Sequence, residues 1–355
     1  MRSEADPHGA SSAVDDIRRA IDVAGGSLRF DEFMSLALYG PNGFYTGVGR
    51  AGRRGDFLTS PEVGPLFGTV LAAWIEAEFA RLGRPGDFEV VEVGAGPGTL
   101  ARSILAHWRA TSAVGHPYTA VEAGALQRAA HPEGVRSVGV LEDRADRPIT
   151  GVVLANELLD NLPFRLLVFD GRWRESHVTV APSEPGRLLE VLVPLADPPS
   201  WLPDAPPHGA RVPWQQVARS WVETTLGSIA AGRLLCVDYV TPRSAELAAT
   251  PWRAWLRTYR GHERGGHYLS DPGGQDVTAQ VALDQLPEPD VVRTQEQFLR
   301  RWGIDELVEE GRAAWEAAAS APTVAAMKMR SRVREAEALL DPAGLGGFLA
   351  LEWSR

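Results

Sequence analysis

The chain has 355 residues and a formal net charge of −10, and 44% of its residues are hydrophobic and 23% charged. This length is enough for one large α/β domain with insertions or for two domains, and the composition is typical of a globular protein. The acidic balance argues against a nucleic-acid-binding protein, which needs basic patches, and favours a basic protein or peptide as partner. Cys236 is the only cysteine and the histidines show no metal-ligand spacing, so we expect neither a disulfide framework nor a metal site.

We expect neither a membrane partner nor export from the cell. No apolar stretch of the sequence has the length of a transmembrane helix. The N-terminal residues include several acidic side chains and no apolar run, which is typical of neither a signal peptide nor a transit peptide. These features predict a bacterial cytoplasmic protein.

The N-terminal part begins with a tail and continues as helices around a long loop. Residues 1–12 are rich in Pro, Gly and Ser, and we expect them to be disordered. Residues 39–68 are rich in Gly, Pro and aromatic side chains, and such a long connection is typical of a functional lid, which we place over the active site. Within the segment 13–82, apolar residues recur at helical spacing in Val14–Val23, Arg29–Leu38 and Leu66–Leu82.

A buried strand, a glycine turn and a helix follow one another after this N-terminal part. The short apolar run Phe88–Val93 predicts a parallel strand, and helical spacing continues over 99–110. Glycine allows positive φ and a close approach of the backbone to a ligand. The turn between the two elements carries Gly94, Gly96 and Gly98.

Glu92 stands just before this turn and bears on which ligand the turn binds. The spacing is GxGxG rather than the GxGxxG of dinucleotide-binding folds. A carboxylate at this position repels a pyrophosphate but suits S-adenosylmethionine (SAM), which carries an ammonium and a sulfonium group and no phosphate. The alternative is a plain tight turn between a strand and a helix.

A second candidate for ligand binding is Glu122, which follows the predicted strand Tyr118–Val121. A carboxylate about 20 residues past a glycine turn, at the end of the following strand, is where a nucleoside ribose is held by its hydroxyls. The alternative is an ordinary solvated glutamate. In combination with Glu92 and the three glycines, we favour the ribose contact.

Strands and helices alternate through the segment 83–180. Such alternation predicts a doubly wound, mostly parallel α/β sheet, in which ligands bind at the carboxyl ends of the strands. The Asp170-Gly171 pair predicts a hairpin between Arg165–Asp170 and Arg172–Val180. The other predicted elements after the first helix are strand 117–122, helix 123–130, a strand near 135–141 and strand Val152–Ala155.

The rest of the chain alternates insertions with further core elements. A Pro-rich insertion spans 181–232; we expect residues 182–213 to be irregular and Val217–Ala230 to be a helix. A buried core strand lies within 233–240, and 241–290 is a second insertion on the substrate side. The C-terminal segment 291–355 carries three predicted helices and a final strand, Gln295–Trp302, Asp305–Ala319, Thr323–Leu340 and Gly347–Trp353.

Polar residues follow the predicted strand Val152–Ala155 directly. Asn156, Glu157 and Asp160 come next in the chain and face the same edge of the sheet as the glycine turn. An amide and carboxylates there can orient an amine or a guanidinium and remove its proton. A compatible alternative is that Asn156 caps the next helix. Asp238, at the end of another strand, faces the same edge.

Two further candidates, Tyr259 and His262, lie in the second insertion within the sequence RTYRGH. Each has the alternative of a loop residue in a local hydrogen-bond network. His262 is the one histidine to which we assign a catalytic role.

Several separate blocks of the sequence are similar to those of one known family. The chain resembles the MidA family of class I SAM-dependent methyltransferases over about residues 27–353; mitochondrial members of that family are protein-arginine methyltransferases that act in complex I assembly. The blocks occur in the same order and read FDEFMSLALYGPNGFY, GDFLTSPEVGPLFG, VVEVGAGPGTL, ANELLDNLPFR, CVDYV, LRTYRGH, DPGGQDVTAQV and RTQEQFLRRWGI. The resemblance implies a Rossmann-like class I methyltransferase fold with a helical N-terminal region and inserted segments. It also implies SAM as cofactor, S-adenosylhomocysteine as product, and a protein or peptide substrate.

The resemblance also implies roles for individual residues. The implied cofactor contacts are Glu92, Gly94, Gly96, Gly98, Glu122 and Asn156. A loop over the cofactor is implied for Thr59, Ser60, Pro61 and Glu62. The residues implied near the transferred methyl group are Asn156, Glu157 and Asp160.

The departures from the family pattern fall on the acceptor side. They are Val240 in place of a glycine, Gln280 and Ala282 in place of a His or Asp and an Asp, Pro213 in place of a glutamate, and Trp252 and Trp255 in place of small residues. The cofactor side is intact. The resemblance therefore predicts the cofactor more firmly than the substrate.

Three functions stay open at this point, and the favoured one is methyl transfer to an arginine or another nitrogen of a protein or peptide. The second is a small-molecule N- or O-methyltransferase, which Trp252 and Trp255 would favour by building a closed apolar pocket. The third is a SAM-binding assembly factor without turnover. Leu66–Leu82 and Thr323–Leu340 can each bury a face within the monomer or against a second copy, so a homodimer is also an open alternative.

Overall fold

The chain divides into two units, each assembled from three separate stretches of sequence. The computed structural model describes residues 12–46, 59–111, 115–144, 147–260 and 263–355. The first unit comprises Met1–Asp56, Pro163–Gln216 and Ser244–Ala279, and the second unit comprises Phe57–Leu162, Val217–Arg243 and Gln280–Arg355. The glycine turn and the residues after Val152–Ala155 therefore belong to the second unit, whereas Tyr259 belongs to the first.

Helices and strands are numbered here in chain order over the described residues. The helices are α1 Ala13–Val23, α2 Phe30–Tyr39, α3 Ser60–Val63, α4 Pro65–Arg81, α5 Thr99–Thr111, α6 Ala125–Arg128, α7 Gln216–Ser228, α8 Ser244–Ala249, α9 Gln295–Arg301, α10 Ile304–Ala317 and α11 Val324–Leu340. The strands are β1 Leu28–Arg29, β2 Glu89–Val93, β3 Tyr118–Val121, β4 Val135–Val138, β5 Ile149–Asn156, β6 Arg165–Phe169, β7 Trp173–Ala181, β8 Glu184–Pro194, β9 Arg211–Trp214, β10 Ile229–Asp238, β11 Val240–Thr241, β12 Leu256–Arg260, β13 Glu263–Arg264, β14 Asp276–Ala279, β15 Val281–Ala282, β16 Val291–Thr294 and β17 Leu349–Ser354. Among these described helices, none combines the length and the apolar composition needed to cross a bilayer.

The main sheet of the second unit has seven strands in the described part of the chain, in the order β16-β17-β10-β5-β2-β3-β4. The strands from β10 to β4 are parallel to one another, whereas β17 runs antiparallel to β10 and to β16. In register, Val91 of β2 lies between Thr119 of β3 and Val153 of β5. The predicted doubly wound, mostly parallel α/β sheet is confirmed.

Both faces of this sheet are buried, which explains why its strands read as apolar runs. Val90 and Leu154 pack on one face, in one cluster with Ile104 of α5. Val153 and Cys236 pack on the opposite face, because successive residues of a strand point to opposite sides. Cys236 is therefore a buried strand residue, as predicted.

Helix α4 buries its apolar face within the second unit. Phe67, Leu71 and Trp74 belong to the same cluster as the residues of the sheet. The predicted helix Leu66–Leu82 therefore buries a face within the monomer, which is one of the two alternatives given for it. The homodimer stays a prediction.

The first unit contains antiparallel sheets instead. One has the order β1-β7-β6-β9, with β8 paired to β7, and another has the order β13-β12-β14. The predicted hairpin is confirmed, because β6 pairs antiparallel with β7 and the Asp170 amide donates to the Arg172 carbonyl at 3.1 Å. Ser12, the described end of the predicted tail, accepts a hydrogen bond from the Asp15 amide at 3.2 Å and so caps α1.

One prediction for the first unit is wrong. Residues 182–213 are not irregular throughout, because β8 and most of β9 lie within them. The apolar residues of β8 pair along β7, for example Leu189 with Thr179. Proline is compatible with β9, since Pro213 lies on a strand at the edge of its sheet, where a missing backbone donor costs little.

Several predicted boundaries differ from the observed ones. Helix α7 ends at Ser228 and β10 begins at Ile229, inside the predicted helix Val217–Ala230. The reason is tertiary, because Ile229 pairs in parallel with Ile149 of β5. Helix α6 and strand β4 are shorter than the predicted helix 123–130 and the strand near 135–141.

Candidate active site

Three glycines shape the turn between β2 and α5. Gly94, Gly96 and Gly98 have φ angles of +74°, +52° and +78°, a region that strains residues with a Cβ. The Gly94 amide donates to the Val121 carbonyl at 3.0 Å, which ties the turn to the end of β3. A Cβ on Gly98 would lie 2.8 Å from the Pro132 side chain. Both the backbone conformation and the available space therefore require glycine here.

Glu122 closes this turn from the end of β3. Its Oε2 accepts from the Gly96 amide at 2.9 Å, and its Oε1 accepts from the Gly124 amide at 2.7 Å. The side chain is buried. The carboxylate thus holds the glycine turn, and it does so at the position predicted to bind a ribose.

His131 supports the glycine turn from another side, and the sequence did not indicate it. Its Nε2 lies 2.8 Å from the Gly96 carbonyl oxygen, so this nitrogen carries the proton and donates. Its Nδ1 lies against the Ser137 hydroxyl. A single histidine after a short helix has no spacing pattern that reveals such a contact.

The Glu92 carboxyl lies against Tyr118. The Tyr118 hydroxyl donates to Oε2 of Glu92 at 2.7 Å, and both side chains are buried. Burial, opposed by this hydrogen bond, raises the pKa of Glu92 to about 8. The group is therefore mostly neutral at pH 7, and its predicted contact with a cofactor ammonium stays a prediction.

The TSPE sequence forms the short helix α3 and its approach, while residues 47–58 of the predicted lid lie outside the described residues. Glu62 accepts from the Thr59 amide at 3.2 Å. Ser60 is fully buried, and its hydroxyl donates to Oε1 of Gln295 at 2.8 Å. The Ser60 amide donates to Oε1 of Glu157 at 3.4 Å. The structure thus brings α3 to the residues that follow β5.

Asn156 ends β5, and Glu157 follows it in a left-handed conformation with φ of +51°. The Glu157 amide donates to the Val237 carbonyl at 2.8 Å, and Nδ2 of Asn156 donates to Oε1 of Glu157 at 3.0 Å. The suggested capping role of Asn156 is wrong, because the next element is a 3₁₀ turn that begins at Leu159. Asn156 instead orients the Glu157 carboxyl.

Glu157 lies in an environment that favours its neutral form. Burial, and then the charges of Asp160 and Glu62, raise the pKa of Glu157 to about 8, against hydrogen bonds that lower it. Asp238 is also buried, and burial together with Glu157 raises its pKa to about 7. Ionisation of one of these carboxyls therefore disfavours ionisation of its neighbours, and a cation placed among them would favour their charged forms.

Asp238 organises the turn that follows β5. Its Oδ2 accepts from the amides of Leu158 and Leu159 at 3.2 and 2.8 Å, and its Oδ1 accepts from the Tyr239 amide at 2.8 Å. Asp160 is buried within the 3₁₀ turn Leu159–Asn161. Asp238 thus anchors the turn that carries Asp160.

The remaining acceptor-side predictions are not tested by contacts at this site. Tyr259 lies in β12 of the first unit, paired with residues of β13 and β14. His262 lies outside the described residues. Of the departures from the family pattern, Val240 lies in β11, and Gln280 accepts from the Thr241 hydroxyl at 2.6 Å. Roles for Tyr259 and His262 stay predictions.

Comparison with known proteins identifies the family to which the chain belongs. The profile of a family of S-adenosyl-L-methionine-dependent methyltransferases matches residues 70–297. The chain belongs to this family. It is therefore a SAM-dependent methyltransferase, as the glycine turn and the MidA-like blocks predict.

Named relatives and a solved structure agree with this family. The protein arginine methyltransferase NDUFAF7, mitochondrial, of Rattus norvegicus is 30% identical over 335 residues, with 79% of this chain and 72% of that protein covered. The Drosophila melanogaster NDUFAF7 homolog is 31% identical over 198 residues, with 47% of this chain and 44% of that protein covered. The crystal structure of a protein from Burkholderia thailandensis bound to S-adenosyl-homocysteine is similar to this chain, with a TM-score of 0.81 and 27% identity. The match covers 97% of this chain and 92% of that chain. The predicted fold and the predicted cofactor are both confirmed.

Proposed function

We propose that this methyltransferase transfers the methyl group of SAM to an arginine side chain of a protein or peptide. The observation that carries the proposal is the group of carboxyls formed by the half-buried Glu157 and the buried Asp160 and Asp238, at the ends of β5 and β10. A guanidinium stays charged across the usable pH range, so such an acceptor needs carboxylates to hold it and to take its proton. The names of the rat and Drosophila relatives support the same acceptor.

The residues around the glycine turn fit the cofactor. A Cβ on Gly94 would lie 3.0 Å from the Leu158 side chain, so glycine at this position leaves the narrow space beside Leu158 unfilled. Oδ1 of Asn156 is buried and has no hydrogen-bond partner among the described residues, which leaves an acceptor for a donor group of a ligand. Each oxygen of Glu122 accepts one backbone bond and keeps a lone pair for a ribose hydroxyl. We assign these residues to the cofactor.

SAM supplies an electrophilic methyl group on its sulfonium sulfur and leaves as S-adenosylhomocysteine. An acceptor nitrogen forms the new bond to the methyl carbon while the carbon–sulfur bond breaks, and the nitrogen loses a proton. We assign Glu157 as the base that takes this proton, and Asp160 as a second carboxylate that holds the guanidinium. Holding the nitrogen in line with the methyl group supplies most of the rate enhancement for a displacement of this kind.

The structure gives little support to the small-molecule alternative. Its first unit holds a cavity of about 300 Å³ beside Trp252 and Tyr268. Arg253, Arg257 and Arg264 also line this cavity. Trp255 is not among the lining residues, so this cavity is not the closed apolar pocket that Trp252 and Trp255 together were expected to build.

The test is a transfer assay with methyl-labelled SAM against the soluble proteome and, separately, against the small-molecule extract of the source cells. We expect label in protein, located to arginine by mass spectrometry, and no such label with the Glu157→Gln variant. Label confined to the small-molecule fraction would contradict the proposed acceptor. S-adenosylhomocysteine binding, measured in parallel, establishes that both proteins are folded.

A further inference from the structure

The sequence block RTQEQFLRRWGI carries a buried glutamine at the start of α9. Gln295 has no exposed surface. Its backbone amide donates to the Phe348 carbonyl at 2.7 Å, and its side-chain Nε2 donates to the Leu339 carbonyl at 3.0 Å. These bonds leave Oε1 as an acceptor, and the Ser60 hydroxyl donates to it at 2.8 Å. Hydrogen bonds at both Nε2 and Oε1 thus hold the Gln295 side chain in one orientation.

Ser60 connects Gln295 to Glu157. Ser60 is fully buried, so its hydroxyl needs a protein partner, and Gln295 is that partner. With the hydroxyl held, the Ser60 amide donates to Oε1 of Glu157 at 3.4 Å. The chain of contacts therefore runs from α9 through Ser60 to the carboxyl assigned as the base.

A second contact fixes the chain just after Ser60. Glu335 of α11 accepts from the Leu66 amide at 2.9 Å, at the N-terminus of α4, where the helix dipole favours a negative charge. A Cβ on Gly64 would lie 2.3 Å from the Glu335 side chain, so the carboxyl occupies the space that another residue would need. Helix α3 and the start of α4 are thus held by side chains from the C-terminal helices.

We propose that Gln295 is a positioning residue for methyl transfer: it holds Ser60 so that the Ser60 amide donates to the Glu157 carboxyl. This inference rests on the proposed role of Glu157. It gives a function to the RTQEQFLRRWGI block, which the description of the cofactor and acceptor sites leaves without one.

Loss of the contact between the Ser60 amide and Glu157 changes the pKa of Glu157. The Ser60 amide stabilises the charged form of Glu157 and so lowers its pKa, while burial, Asp160 and Glu62 raise it and Asp238 lies close by. Without the Ser60 contact the pKa of Glu157 rises further above its usual range. A base must be deprotonated to act, so the rising limb of the pH profile moves to higher pH.

The matched pair of variants is Gln295→Leu and Gln297→Leu. Gln297 lies two residues further along α9, is exposed, and accepts from the Thr294 amide at 3.1 Å as part of the helix cap. Gln295→Leu should lower kcat about tenfold, as expected for one lost hydrogen bond at the site, and shift the kcat pH profile upward. Gln297→Leu should leave kcat and the pH profile unchanged, even where it destabilises the helix.

Two further measurements decide whether Gln295 acts through Ser60. Amide hydrogen exchange in residues 59–63 should be faster in Gln295→Leu than in Gln297→Leu and the parent protein. The effects of Ser60→Ala and Gln295→Leu on kcat should not add in the double variant, because both remove the same contact. Unchanged exchange, or additive effects, would overturn the proposal.

Failure of the proposed function gives a different result. If the parent protein methylates no arginine substrate, that function fails, and the positioning role is then decided by the Glu157 carboxyl titration measured by ¹³C NMR. A higher pKa of Glu157 in Gln295→Leu, with the Gln297→Leu value unchanged, supports the inference. Equal pKa values in all three proteins overturn it.

Discussion

At the scale of single residues, Glu157 combines features that a purely structural side chain has no need of. Its φ of +51° is a conformation that costs a non-glycine residue on the order of 1 kcal/mol. Desolvation of its half-buried side chain, together with the neighbouring acids, raises its pKa to about 8. Strain and a shifted pKa at one residue are typical of functional sites, and this is why we assign proton removal to Glu157.

The shifted pKa of Glu157 predicts the pH dependence of the reaction. We expect kcat/KM for an arginine peptide to rise with pH and to level off above about pH 8. The sign follows because the raised pKa keeps Glu157 protonated, and inactive as a base, until the pH exceeds it. Rates measured between about pH 6 and about pH 10 test this. A profile that is flat over this range would contradict the assignment.

Replacing the Glu157 carboxyl by an amide separates chemistry from cofactor binding. We expect Glu157→Gln to lower kcat by about 10²- to 10⁴-fold, the usual worth of a general base, and to leave S-adenosylhomocysteine affinity nearly unchanged. The exposed Glu133 provides the matched control, and Glu133→Gln should have the activity of the parent protein. A fully active Glu157→Gln variant would remove this residue from the mechanism.

Glu122 makes a separate prediction about the cofactor. Glu122→Ala removes the acceptor for the Gly96 and Gly124 amides and the proposed acceptor for ribose hydroxyls. We expect S-adenosylhomocysteine binding to weaken by about 1–3 kcal/mol, measured by calorimetry. Glu142→Ala, an exposed glutamate of the same unit, should bind as the parent protein does. Unchanged affinity in Glu122→Ala would exclude the ribose contact.

At the scale of elements, the last strand of the chain is inserted into the sheet rather than added at its edge. β17 lies between β10 and β16. Glu352 of this strand is buried; it accepts from Arg233 at 3.0 Å, from Arg293 at 2.8 Å and from the Trp74 indole at 3.2 Å. One carboxylate therefore joins β10, β16, β17 and α4.

This network predicts a large effect on stability from one substitution. Glu352→Leu removes the carboxylate that pairs with Arg293 and one of the two carboxylates that pair with Arg233, the other being Glu78 at 3.4 Å; breaking such a pair costs about 3–5 kcal/mol of the free energy of unfolding. The exposed pair of Glu296 and Arg300 provides the comparison, and Glu296→Leu should cost under about 1 kcal/mol. Urea unfolding of both variants measures the difference; similar losses would show that the Glu352 network adds little.

At the scale of the whole molecule, the charge of the chain bears on its substrate. A net charge of −10 attracts cationic partners and repels anionic ones over about a Debye length. We expect kcat/KM for an arginine peptide with basic flanks to fall several-fold as salt rises, through a higher KM and with kcat unchanged. The same peptide with neutral flanks should depend little on salt. Equal salt dependence of the two peptides would contradict attraction by the overall charge.

Much of the second unit could be predicted because its signals are local. The apolar run Tyr118–Val121 is β3, within the predicted strand 117–122, and the glycines at 94, 96 and 98 have the positive φ angles that glycine allows. The alternation of strands and helices is enough to predict the parallel sheet. The position of Glu157 after β5 followed from the same pattern, since it depends only on where a strand ends.

The features that could not be predicted depend on residues that are far apart in the chain. The pKa of Glu157 is raised to about 8 only because folding desolvates it and brings Asp160 and Glu62 near it, and Ser60 meets Gln295 across 235 positions. β8 was missed because its pairing with β7, rather than its own composition, makes it a strand. Sequence alone therefore determined the fold class, the glycine turn and the candidate carboxylates, since strand ends and glycine turns are local. Tertiary structure decided how these groups are held and charged, because burial and pairing exist only after distant segments pack together.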